Sequence, residues 1–199
     1  MRDSLAPDAV KPLLLGRLGQ IYRYAEITDS TQRMLAEDEV EGAVAVADEQ
    51  REGRGRLGRA WEAPAGTSVL VSVLLLPAVE ASRLPELSLV AGGAVAQAIV
   101  EVTGLEPTIK FPNDILVGGR KVAGILAESS EGRVVLGIGV NANQTPEQLP
   151  VDANTEPTSL RIELGQPVSR GRLLAAILLR LERAYDAWVL ATTGTSMSG

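Results

Sequence analysis

The chain has 199 residues, 45% of them apolar and 3% aromatic, and a formal net charge of −6. That length suits one domain whose core is filled by Leu, Val, Ile and Ala, and the acidic balance opposes a binder of phosphate backbones. With no cysteine and no histidine, disulfides, thiolate metal sites, a Cys nucleophile, Ser-His-Asp catalysis and most zinc sites are excluded.

Residues 1–18, with Pro7, Pro12 and the leucines at 13–15, form a short leading segment. Residues 21–27 alternate as a strand. Asp29, Ser30 and Thr31 are N-cap types, and residues 32–39 suit a short helix. A small-residue strand follows at 43–47, then a charged, glycine-rich loop at 50–66, then an apolar strand at 68–76 ended by Pro77. Residues 84–103 have helical length, with Leu87, Val90, Ala91, Ala94, Val95 and Ala98 on one face and Gly104 as the stop. Strands are expected at 108–110, 115–117, 122–128 and 134–140. Gly118-Gly119 turns the middle pair into a hairpin, and Glu131-Gly132 makes the next turn. Residues 144–168 read as loop with a short helical piece, 171–189 as an amphipathic helix, and 191–199 as a flexible tail.

The order predicts an α+β fold: a mainly antiparallel or mixed sheet with helices packed on it. Residues 1–190 are expected to form a single domain. No N-terminal segment reads as a signal peptide, and no uninterrupted apolar run nears the ~20 residues that cross a bilayer. The expectation is therefore a cytoplasmic protein with no membrane or nucleic-acid partner.

Residues 51–59 place Arg51, Arg54, Arg56 and Arg59 among Gly53, Gly55 and Gly58. Such a cluster of like charges is costly without an anion. Glycine allows close backbone approach, and guanidinium forks match phosphate and carboxylate. The segment therefore reads as a loop that closes over a phosphate-bearing ligand; the plainer alternative is a solvated basic loop. Gly53, Gly55 and Gly58 also match the dinucleotide-binding fingerprint, but Pro64 and Gly66 follow where that fingerprint must open a helix.

Lys110 is one of three lysines in the chain. Pro112 restricts Phe111 to an extended backbone, which holds Lys110 in place to neutralise a carboxylate and a phosphate as they meet. The competing reading is a surface lysine paired with Asp114. Asn113 and Asp114 are turn formers able to orient groups nearby, and Arg120 and Lys121 read as hairpin-turn charges. Gly137 and Gly139 alternate in an apolar strand, a pattern that marks close approach of a ligand or another backbone. Asn141, just beyond, is able to read an amide or purine edge.

GRGRLGRAW at 53–61, KFPND at 110–114 with GGRKVAGIL at 118–126, and GIGVNAN at 137–143, preceded by Asp29-Ser30-Thr31-Gln32, together resemble the bacterial biotin protein ligase family over residues 25–143. The resemblance implies a catalytic-domain fold similar to class II aminoacyl-tRNA synthetases and lipoate ligases. It implies ATP-dependent biotinylation of a carrier-protein lysine through biotinyl-5′-AMP.

By the same resemblance, Ser30, Thr31, Gln32, Gln50, Arg54, Gly55, Arg56, Lys110, Gly124 and Gly139 bind biotin. Gly53, Arg54, Arg56, Arg59, Trp61, Lys110, Asn113 and Asn141 bind ATP, with Trp61 on the adenine. Lys110, Arg54 and Arg56 are the implied catalytic residues. Mg²⁺ is expected to arrive with ATP rather than at a protein-only metal site. The implied partner is a biotin carboxyl carrier protein, and relatives suggest a homodimer. Gln32 stands where the family commonly has Asn, and Phe111 where it has Trp; both keep the chemical type. Neither an N-terminal winged helix nor the small C-terminal β-barrel of the family is expected. The alternatives are a lipoate or octanoate ligase or transferase, of which the lipoate ligase would lack the GRGR loop and the octanoyl transferase would need a Cys nucleophile that this chain lacks, and a non-catalytic biotin or nucleotide sensor.

A carboxylate is already a nucleophile at neutral pH, so activation by adenylation needs no histidine base. That fits a chain with none.

Overall fold

A computed structural model describes residues 3–35, 40–151 and 155–194. After a short helix, α1 (Pro7–Val10), the chain lays down strands β1 (Tyr22–Thr28), β2 (Val44–Gln50) and β3 (Ser68–Leu75). Helix α2 (Leu87–Thr103) follows, then the meander β4 (Pro107–Lys110), β5 (Asp114–Val117), β6 (Arg120–Ser130) and β7 (Arg133–Asn141). Helices α3 (Leu160–Leu164) and α4 (Arg170–Gly194) close the chain.

The seven strands form one sheet in the order β1-β2-β3-β7-β6-β5-β4. Only β1 and β2 pair in parallel, so the sheet is mixed as expected.

Alternation along the strands gives the sheet two unlike faces. One carries Val44, Val46, Val69, Val71, Val73, Ile125, Ile138 and Val140, which pack with Leu87, Val95 and Ile99 of α2 and Leu174, Ile177 and Leu181 of α4. The other face carries Ala45, Ala47, Ser72, Gly124, Gly137 and Gly139, the small residues of the same strands. Bulk on one side and its absence on the other leave a concave floor where a ligand site can form. A smaller cluster of Leu35, Ala43, Ala45 and Leu74 with Met34 and Val135 closes one end of that floor.

Four details differ from expectation. Residues 31–35 form a turn, not a helix: Arg33 N–H donates to Ser30 O at 3.1 Å and Met34 N–H to Thr31 O at 3.3 Å. The rest of the expected helix, 36–39, lies outside the described residues. Helix α2 begins at Leu87 and not at 84, because the preceding residues wind as a 3₁₀ turn around Pro85, which has no N–H to give a helix.

Counting uninterrupted apolar residues also understated this segment. Ala81–Thr103, 23 residues of mean hydropathy 1.3, is long and apolar enough to cross a membrane by length and composition alone. Here it packs on the sheet and α4 as a core helix. Finally, α4 continues through 191–194, where a tail was expected; residues 195–199 lie outside the described ones.

The last helix is pinned by a buried cation. Arg170, only 2% exposed, donates from Nε to Asp3 Oδ2 at 2.9 Å and from Nη1 to Asp48 Oδ1 at 2.7 Å and Ser68 O at 3.2 Å. It ties the leading segment, β2 and β3 to the start of α4. Tyr24 donates to the other oxygen of Asp48. Burial, the Asp48 bond and the carboxylate charge push the Tyr24 phenol up to about 12.

Candidate active site

The concave face holds two cavities with a common wall. The first, about 200 Å³, is lined by Thr31, Gln32, Gln50 and Ser72 at its inner end and by Arg54, Gly55, Arg56 and Arg59 at its mouth. The second, about 430 Å³, lies toward Asn141, Thr155 and Pro157. Arg59, Ala60, Trp61, Asp114 and Lys121 line both. Two ligands seated side by side would therefore share this wall, to which Lys121 contributes the one ammonium.

Gly124 and Gly139 face each other across β6 and β7, and the Trp61 indole lies on both. A Cβ at Gly139 would fall 2.5 Å from Trp61 Cε2, and one at Gly124 would fall 2.8 Å from Cζ3. The close approach expected at Gly139 is thus made by an aromatic ring of the arginine-glycine loop, which Gly124 also meets. Gly137 is covered in the same way by the Gln32 amide, 3.3 Å from where its Cβ would be. The indole Nε1–H is buried with no hydrogen-bond partner, and a buried donor of this kind costs about 1–3 kcal/mol until something accepts from it.

The loop itself is a small hairpin. Trp61 N–H donates to Gly53 O at 2.8 Å, Gly55 N–H donates to Arg59 O at 2.7 Å, and Arg54 bridges Ala60. A side chain at Gly53 would run into the Trp61 carbonyl, so that glycine shapes the hairpin and does not line the first cavity. Arg54 reaches Glu128 at 3.3 Å. Arg56 donates to Asn113 Oδ1 at 3.2 Å, and Asn113 is itself anchored to Ile125 by Nδ2→O at 3.0 Å. Arg54 and Arg56 are both exposed residues held at the mouth by these polar contacts.

Lys110, expected at the reacting centre, lies away from both cavities. Lys110 lies in a row of paired residues running Lys110, Asp114, Gly124, Gly139 across the strands. It is on the outermost strand, two strand spacings of about 4.8 Å each beyond Gly124. It lines neither cavity, and its exposed ammonium donates to Thr155 Oγ1 at 2.9 Å.

The lysine that lines both cavities is Lys121, which reads in sequence as a turn charge. Its Nζ is 2.7 Å from Asp114 Oδ1 and 5.6 Å from the centroid of the Trp61 ring. A β-bulge puts it there. Ile115 pairs with Ala123 but Leu116 pairs with Lys121, so Val122 has no partner. Val122 is buried in the helix-side core. The extra residue reverses the alternation and aims Lys121 at the cavity.

Other expected residues also fall elsewhere. Ser30 is buried within the 30–34 turn and lines neither cavity. Asn141 borders the second cavity, but its amide is engaged: Nδ2 donates to Thr158 O at 3.0 Å and Oδ1 accepts from Gln144 at 3.0 Å. Thr31, Gln32, Gln50, Arg54, Gly55, Arg56, Arg59, Trp61, Asn113, Gly124 and Gly139 all line the first cavity. Ser72, fully buried in the apolar strand β3, gave no sequence signal of a role in the site. Among the described residues no three His, Cys, Asp or Glu groups cluster to hold a metal. Asp114 and Glu128 are already paired with cations, so the residues present do not fit a protein-held Mg²⁺.

The description "biotin/lipoate A/B protein ligase family" matches residues 24–144. The chain belongs to this family. It is 38% identical over 177 residues to the bifunctional ligase/repressor BirA of Bacillus subtilis, covering 84% of this chain and 54% of that protein. It is 37% identical over 165 residues to the biotin–[acetyl-CoA-carboxylase] ligase of Mycobacterium tuberculosis, covering 80% and 60%. The chain thus spans about half the length of the Bacillus relative. Among solved structures, the biotin protein ligase of Aquifex aeolicus in complex with biotin and ATP superposes with a TM-score of 0.77 at 34% identity, covering 85% of this chain and 72% of that one.

Proposed function

We propose that this chain activates biotin with ATP and transfers the biotinyl group to a lysine of a carrier protein, the biotin carboxyl carrier protein being the expected acceptor. The observation that carries this reading is the pair of cavities joined at Lys121 and rimmed by Arg54, Arg56 and Arg59. The Aquifex relative, with biotin and ATP together, supports the assignment. In this reading, residues 1–190 act as one catalytic unit in the cytoplasm, and a homodimer is the expected assembly.

Biotin occupies the smaller cavity with its ring toward Thr31, Gln32 and Gln50 and its carboxylate toward Lys121. ATP, with Mg²⁺ carried on its phosphates, occupies the larger one. A carboxylate oxygen attacks the α-phosphorus in line; the new O–P bond forms as the bond to pyrophosphate breaks. Arg54, Arg56 and Lys121 offset the charge gathered as two anions meet, the largest physical obstacle to this step. The acceptor amine then attacks the acyl carbon, AMP leaves, and the amine loses a proton. Asp114 is the carboxylate that lines both cavities and is proposed to accept that proton. Trp61 and the hairpin shield the anhydride from water.

The lipoate or octanoate reading suits the family but not the inner end of the cavity, which is polar. Titration of biotin with and without Mg-ATP, followed by mass spectrometry of the bound ligand, tests the proposal. Biotinyl-AMP is expected. Biotin bound without adenylate would mean a sensor, and no biotin binding would remove the assignment.

A further inference from the structure

On the concave face, Ser72 of β3 lies opposite Ala45 on one side and Gly137 on the other. It is fully buried, with its Oγ 2.8 Å from Thr31 Oγ1. Thr31 approaches Gln50 twice, by its backbone N–H at 2.7 Å and its hydroxyl at 3.0 Å from the same side-chain oxygen, Oε1.

The direction of each bond follows. A backbone N–H only donates, so the Gln50 atom facing it must be the carbonyl oxygen and not the amino group. The Thr31 hydroxyl meets that same oxygen and must donate as well, which uses its one hydrogen. Ser72 is then the donor to Thr31 Oγ1. The other end of the planar Gln50 amide, Nε2 with two hydrogens, is turned away from Thr31 and lies 3.1 Å from where a Cβ at Gly53 would stand, on a side chain that lines the cavity.

We propose that Ser72 is a specificity-determining positioning residue: by donating to Thr31 it commits the Thr31 hydroxyl to Gln50, and so holds the inner end of the cavity as a donor that selects acids whose head group carries a carbonyl oxygen. This rests on the proposed function and deepens it. The cyclic urea oxygen of biotin accepts from Gln50 Nε2. A dithiolane or a saturated chain end offers no such acceptor and leaves the amide donors unpaired, and a site built to hydrogen-bond its substrate rejects an analogue that lacks the partner. Without the Ser72 hydroxyl, Thr31 loses the donor that orients it, and the Gln50 amide is free to turn over.

The test measures Kd for biotin, lipoate and octanoate, with kcat and KM for biotin, in wild type, Ser72→Ala, Thr31→Val and the double variant. Ser72→Ala is expected to raise biotin Kd and KM about tenfold, the worth of one neutral hydrogen bond, with kcat held within roughly twofold and octanoate binding unchanged. Thr31→Val should lose more, and the double variant no more than Thr31→Val alone, since Ser72 acts through Thr31. Ser72→Cys, a weak donor of similar size, should fall between wild type and Ser72→Ala.

Wild-type selectivity in Ser72→Ala overturns the inference, as do additive losses in the double variant. Equal weakening of biotin and octanoate, with a lowered Tm, overturns it too by assigning Ser72 a merely structural part. A wild-type chain that prefers lipoate or octanoate sinks the proposed function and this inference together; failure confined to the variants sinks the inference alone.

Discussion

Lys121 Nζ stands 2.7 Å from Asp114 Oδ1 and 5.6 Å from the Trp61 ring centroid, so one ammonium joins a carboxylate, an aromatic wall and two cavities. A cation so placed stabilises charge that gathers where the two ligands meet.

The two lysines of this segment should therefore separate in single-turnover assays. Lys121→Ala is expected to slow adenylate formation by about 10²–10³, the usual effect of removing one electrostatic contact to a transition state. Lys110→Ala, which loses only an exposed bond to Thr155, should stay within a few-fold of wild type. The reverse ranking would return the role to Lys110.

Gly139 and Trp61 should prove energetically coupled. With a Cβ at 139 only 2.5 Å from Trp61 Cε2, Gly139→Ala must displace the indole, and overpacking of this kind costs about 1–3 kcal/mol. In urea melts, Gly139→Ala made on a Trp61→Leu background should cost clearly less than on wild type. Equal costs on both backgrounds would mean that the ring does not rest on Gly139 in solution.

Arg170 should matter for stability and not for chemistry. Arg170→Met removes the partner of Asp3 and Asp48 and is expected to cost about 3 kcal/mol, as when one member of a buried pair is removed. Denaturant unfolding measures the loss, while kcat well below the new Tm should be near that of wild type. A stability change under half of that would show the network to be solvated in solution.

Stability should fall in alkali. The Tyr24 phenol is held at about 12, by burial first and by its bond to Asp48 next, against 10 for an unperturbed tyrosine. A raised acid pKa means that above pH 10 the unfolded chain has lost a proton the folded chain keeps, so the contribution present below pH 10 is lost as pH rises from about 10 to 12. Tyr22 and Tyr185 are shifted the same way by burial. Tyr24→Phe should flatten the stability curve across that window, and an unchanged slope would contradict the assignment.

Much of this protein was legible in its residue order. The apolar runs of β3 and β7, the Gly118-Gly119 hairpin and Gly104 as the stop of α2 all follow from local rules, because turns, caps and strand alternation depend on neighbours in the chain. The paired glycines likewise announced a close approach, which Gln32 makes at Gly137 and Trp61 at Gly139.

Tertiary structure alone decided which lysine enters the site. Val122 without a strand partner reverses the facing of Lys121, and a bulge depends on how two strands align, which neither strand encodes by itself. The same holds for Trp61 settling on Gly124 and Gly139, for Ser72 meeting Thr31, and for Arg170 gathering Asp3 and Asp48. In each case residues far apart in sequence are brought together by the register of the sheet. Local chemistry set the kinds of group available; long-range packing set which of them face one another.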